Sequence, residues 1–107
     1  MSSQILSNML FAEKIRQLRE EKRLLQRQIS AALEIDNALY CKIERGDRSA
    51  KREQVVKLAE LFYVDLEELL VLWLADQVLA IVTDEKGIAV KVLNIVKINL
   101  DRRNKDE

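Results

Sequence analysis

The sequence predicts an all-α fold, and three observations carry that prediction. The chain has 107 residues with no proline and only two glycines, so the residues that break helices are nearly absent. Apolar residues recur three and four positions apart in successive blocks. Asp, Ser, Asn and Gly, which start and stop helices, stand between those blocks. The length suits one domain with an appended oligomerisation element.

Residues 1–8 read as an N-terminal arm, with Ser7 or Asn8 expected to cap the first helix. That helix runs to about Lys22, with Leu10, Phe11, Ile15 and Leu18 on one face. A second helix opens at Gln26 and ends near Leu33, turning Ile29 and Leu33 inward. Ser30 is small where a neighbouring helix must come close. Ile35 anchors a tight turn, and Asp36 caps a third helix whose inner residues are Tyr40 and Ile43. Gly46 ends it, since glycine tolerates a left-handed backbone.

A loop over 47–50 leads to a fourth helix over about 51–62, with Val55, Leu58, Ala59 and Phe62 inside. Asp65 and Glu68 make a capping-box-like start to a fifth helix over 66–82. This helix is apolar nearly all round and must be covered on more than one side. The segment 84–100 is rich in β-branched residues, which suits a strand. Its polar residues Lys91, Asn94, Lys97 and Asp101 nevertheless fall on one helical stripe, so it reads as a sixth helix. Residues 102–107 read as a frayed, charged tail.

Hydrophobic residues make up 49% of the chain, enough for a core, and charged residues 34%, too many for a membrane protein. The longest apolar run, 69–75, is far short of the roughly 20 residues of a membrane helix. The N-terminus has no basic start and no long apolar run, so no signal peptide is read there. The single cysteine, Cys41, cannot form an intrachain disulfide, and a reducing cytoplasm is its natural setting. It reads as a passive small residue.

Net charge is zero, but it is unevenly spread. Residues 13–57 carry +4, residues 58–80 carry −5 and residues 81–107 carry +1. A basic front and an acidic middle fit a module that meets DNA beside one that does something else. Catalysis has little support: there is no His to serve as a general base or metal ligand, and one Cys cannot build a zinc site. No phosphate-binding glycine loop is present. Neither a cofactor nor a metal is expected.

The two-helix unit over 26–46 is the candidate functional element. Its second helix can act as a rod in the major groove, which is about 12 Å wide. Asn37 has an amide suited to adenine, Lys42 can reach guanine acceptors or a phosphate, and Ala38 can meet a thymine methyl. Gln26, Arg19, Arg45, Arg48, Lys51 and Arg52 are the expected phosphate contacts.

These residues carry a family resemblance. Leu18-Arg-Glu-Glu-Lys22, Leu24-x-Gln26, Ile43-Glu-Arg-Gly46, Val56-Lys-Leu-Ala59 and Val64-Asp-x-x-Glu-Leu-Leu70 occur in this order. The stretch resembles the Xre/Cro family of phage-repressor-like helix-turn-helix proteins over residues 10–72. The resemblance implies a five-helix DNA-binding domain over 9–72, with the helix from Asp36 as recognition helix. It matches Gln26, Asn37, Ala38 and Lys42 to DNA-facing positions, and Glu44 to an acidic residue that holds the domain together. Arg23 and Glu34 stand where the family usually has Gly, at a cost of roughly 1 kcal/mol each. Leu25 replaces the usual Ser or Thr cap.

The full expectation is a five-helix, repressor-like helix-turn-helix domain plus a C-terminal helical extension, 73–101, for dimerisation. A homodimeric repressor would read a palindrome on double-stranded DNA, with Trp73, Leu74, Val78, Val92 and Val96 at the dimer interface. Two other readings share the same DNA chemistry. One is an antitoxin whose C-terminal helices bind a second protein; the other is a controller of a restriction–modification operon.

Overall fold

The computed structural model describes residues 9–106. Six helices follow one another: α1 (Met9–Glu21), α2 (Gln26–Leu33), α3 (Asn37–Arg45), α4 (Arg52–Phe62), α5 (Leu66–Val82) and α6 (Ala89–Asp106). No strand occurs among the described residues, and the β-branched run is helical from Ala89 onward, as its polar stripe predicts. The expected arm and its cap at Ser7 or Asn8 lie outside the described residues.

One core gathers the inner faces of α1 to α5. Ile15, Ile29, Leu33, Tyr40, Ile43, Val55, Leu58, Phe62 and Leu69 are buried in it. On α1 the buried face is Phe11, Ala12, Ile15 and Leu18. Leu10 was expected there but is turned outward and is 40% exposed. The reason is angular: Ala12 completes the stripe with Ile15 and Leu18, and Leu10 falls at its edge.

Helix ends follow the expected positions with some changes of chemistry. Gly46 closes α3 in the left-handed conformation at φ 83°. Arg23, Glu34 and Tyr63 take the same conformation without being glycine, at φ 56°, 58° and 56°. Tyr63, which ends α4, was not foreseen. At α2 the missing cap is offset from the far side, because the Gln28 side chain accepts the Leu25 backbone N–H at 2.7 Å. Gln54 does the same for Lys51 at the start of α4, at 2.8 Å. Asp36 stands at the cap position of α3 but makes no side-chain capping bond. Asp65 does cap α5, accepting from the Glu67 N–H at 3.2 Å.

α5 is the hinge between this core and the rest of the chain. Leu69 seals the core, and Trp73 donates its indole N–H to the Ala50 carbonyl at 2.7 Å, pinning the loop before α4. Asp76 is buried and reaches α1, where it accepts the backbone N–H groups of Leu10 and Phe11. α6 runs on through residues 101–106, past the expected end and through the expected frayed tail. It makes no substantial contact with α1 to α5.

Candidate nucleic-acid interface

α2 and α3 form the two-helix unit, and the core fixes their angle. Ile29 and Leu33 from α2 and Tyr40 and Ile43 from α3 are all buried. The opposite side of α3 is open: Asn37, Ala38, Lys42 and Arg45 are exposed and lie on one helical face. Cys41 sits half-buried among them. Past Gly46 the chain stays exposed at Arg48, Lys51 and Arg52. The side chain of Arg45 pairs with Asp47 at 3.1 Å, but both are well exposed, so this ion pair is weak.

Beneath the open face runs a chain of polar contacts. Arg19 grips Glu44 through Nε and Nη2, at 2.9 and 2.8 Å, and gives Nη1 to the Leu24 carbonyl at 2.9 Å. The Gln26 amide donates to Glu44 at 3.2 Å, and its oxygen accepts from the Cys41 thiol at 3.1 Å. The Asn37 amide donates weakly to Cys41 at 3.8 Å, and its oxygen accepts from the Ser30 hydroxyl at 3.2 Å. The arrangement ties α1, the start of α2 and the outer side of α3 into one unit.

Glu44 is the centre of this chain. Burial works against its charge, and hydrogen bonds from Arg19 and Gln26, with the Tyr40 hydroxyl alongside, more than offset that, so its carboxyl is held below the usual range. The bond to Glu44 raises Arg19 further, against the cost of its own burial. The Tyr40 hydroxyl is buried beside the same carboxylate, although its geometry falls short of a full hydrogen bond. Burial, with Glu44 next to it, pushes the phenol well above its ordinary range.

The residues expected to meet DNA therefore fall into two groups. Asn37, Ala38, Lys42, Arg45, Arg48, Lys51 and Arg52 lie together on the surface around α3; the Asn37 amide is exposed but rests on Ser30 and Cys41, contacts it exchanges to reach a base. Arg19 was expected among the phosphate contacts, but its guanidinium is committed to Glu44 and Leu24. Gln26 stands at the start of α2 with its amide engaged by Glu44 and Cys41, which leaves its backbone as the group to offer to a phosphate. Sequence reasoning missed the part played by Cys41 and Ser30. Their signal was spacing: Gln26 and Ser30 share a face of α2, and Asn37 and Cys41 share a face of α3.

A helix-turn-helix domain family model matches residues 10–72. The chain belongs to the helix-turn-helix domain family. Within it, the resemblance to phage-repressor-like proteins holds. The chain is 37% identical over 60 residues to the cryptic phage CTXphi transcriptional repressor RstR of Vibrio cholerae. The match covers 56% of this chain and 54% of that protein, so the chain spans about half the length of the curated relative it matches. No solved structure matches the chain. In DNA-binding helix-turn-helix units the second helix enters the major groove, and here that helix is α3. Trp73, expected at a dimer interface, packs on the helix-turn-helix core. Leu74, Val78, Val92 and Val96 are exposed. No helix among the described residues is long and apolar enough to cross a membrane.

Proposed function

We propose that this protein is a sequence-specific, double-stranded DNA-binding transcriptional regulator, and that it acts as a homodimeric repressor on a palindromic operator. The observation that carries the reading is the face of α3. Asn37, Ala38 and Lys42 stand exposed on a helix clamped from behind by Tyr40, Ile43 and the Arg19–Glu44 pair. Asn37 and Lys42 read base edges, and Ala38 lies against a thymine methyl. Arg45, Arg48, Lys51 and Arg52 bind phosphates on either side, with the start of α2 at Gln26 contributing backbone N–H groups.

Two arguments support the homodimer. One recognition helix of nine residues reads few base pairs. The exposed apolar residues of α5 and α6 also form more apolar surface than a lone domain of this size leaves bare. Two copies joined there set their recognition helices roughly 34 Å apart, one turn of DNA. The relative's name, a phage transcriptional repressor, supports the repressor role.

Selection of bound duplexes from a random pool tests the reading. Enrichment of an inverted repeat with half-sites one turn apart is the expected result; no enriched sequence would overturn it. Sedimentation of the DNA-free protein at micromolar concentration tests the dimer, and a monomer would favour a different protein at α5 and α6, as in an antitoxin.

A further inference from the structure

α5 and α6 carry faces that match each other and that the single chain leaves unmatched. On α5, Val71, Leu74, Val78 and Ile81 recur at spacings of three and four, the pattern of a coiled-coil seam. All four are exposed, from 42% at Val78 to 77% at Ile81. Glu67 stands one step earlier on the same stripe, and Asp84 and Glu85 follow the helix end. α5 has no basic residue, and of its three acids Glu67 is the one on this face, since Asp76 is buried against α1 and Glu68 pairs with Lys14.

α6 is the opposite in charge. It carries five Lys or Arg against two Asp. Leu93, Val96 and Leu100 recur at spacings of three and four, with Val92 and Ile95 beside them, and all five are exposed. A helix this apolar and this bare needs a partner to hold it in water. Its own α5 does not serve, because α6 is carried away from it after residues 83–88. Pairing α6 with another α6 would set two helices of net positive charge against each other.

We infer that α6 of each copy docks on the exposed seam of α5 in a second copy. This inference rests on the homodimer proposed above and gives it an arrangement. The exchange is reciprocal, so both seams and both α6 helices are covered and the assembly closes at two copies. Net-positive α6 then meets Glu67 at the start of the α5 seam and Asp84 and Glu85 beyond its end, so charge favours the pairing as well as apolar fit.

Cysteine crosslinking tests it. In a Cys41→Ser background, one preparation carries Leu74→Cys and the others carry Leu93→Cys, Val96→Cys or Leu100→Cys. Each α6 variant is unfolded and refolded together with the Leu74→Cys variant, then mildly oxidised. The expected result is a covalent heterodimer in at least one mixture and none in any variant alone. Crosslinking of an α6 variant with itself would overturn the exchange in favour of α6–α6 pairing. An intramolecular crosslink in the double variant Leu74→Cys/Val96→Cys at high dilution would overturn it in favour of a hairpin. Sedimentation of the Cys41→Ser protein separates the failures. A dimer with no α5–α6 crosslink overturns the exchange alone; a monomer overturns the homodimer with it.

Discussion

The carboxylate of Asp76 caps a helix from 65 residues away, accepting the Phe11 N–H at 3.0 Å and the Leu10 N–H at 3.1 Å. These donors sit in the first turn of α1, where no carbonyl within the helix can take them. The negative charge also suits the positive end of that helix. Asp76 is 2% exposed, so this buried bond ties α5 to the helix-turn-helix core alongside Leu69 and Trp73.

Asp76→Ala is accordingly expected to cost about 2–3 kcal/mol, because two buried backbone donors lose a charged acceptor. Asp76→Asn keeps one acceptor oxygen and should cost less. Urea denaturation of both variants gives the comparison, and equal stability of Asp76→Ala and the parent would contradict the cap.

The Arg19–Glu44 pair makes stability depend on pH. The Glu44 carboxyl ionises below its ordinary 4.5 in the folded state. Above that value both folded and unfolded chains carry the charge, and the full contribution is present. As pH falls through 4.5 and on to the folded value, the unfolded chain takes up its proton first and the contribution is lost. Glu44→Gln should therefore lower stability by about 3 kcal/mol at neutral pH, by leaving Arg19 without its partner. It should also flatten the fall in stability below pH 4.5. Thermal midpoints measured from pH 7 to pH 3 check both.

Among the described residues three non-glycine residues hold a left-handed backbone, and Glu34 is the clearest to test. It is exposed and lies in the turn between α2 and α3 at φ 58°. Glu34→Gly should raise stability by about 1 kcal/mol by removing the Cβ contact that this conformation forces. Glu34→Val should lower it. Chemical denaturation that ranked the three in any other order would contradict the strain.

How much of this was legible in the sequence varies from residue to residue. Gly46, Asp65 and the apolar spacing of 55–62 located helix ends and inner faces, because those signals act over one turn of chain. Arg23 and Glu34 were legible only against the family pattern. Tyr63 was not, since nothing local marks a left-handed tyrosine. Asp76 gave a faint signal, a lone acid inside LLVLWLADQVLAIV. Its partners lie 65 residues away, and no local rule connects them. Glu44 was expected to hold the domain together, but periodicity could not show that it would take Arg19 away from the phosphate set. The length of α6 was underestimated because DRRNKD reads as a charged tail, whereas these residues continue a helix already formed.

Loss of the exposed α5 seam should weaken self-association without unfolding the core. Val78→Asp places a charge where an apolar side chain is exposed in the single chain. The variant should retain the helix content and melting behaviour of a folded domain and sediment as a monomer. A dimer of unchanged affinity would contradict the part assigned to this face.

The central claim is that α3 reads base sequence while the cations around it bind phosphate. It is tested most directly by one titration, binding to the selected inverted repeat and to a scrambled duplex as salt rises. Four phosphate contacts per copy, Arg45, Arg48, Lys51 and Arg52, give an expected log–log slope of about −7 for a dimer, at roughly −0.9 per contact. Asn37→Ala with Lys42→Ala should abolish the preference for the repeat while leaving weak, salt-sensitive binding to both duplexes. Equal affinity of the unaltered protein for repeat and scramble, or an unchanged preference in the double variant, would contradict the claim.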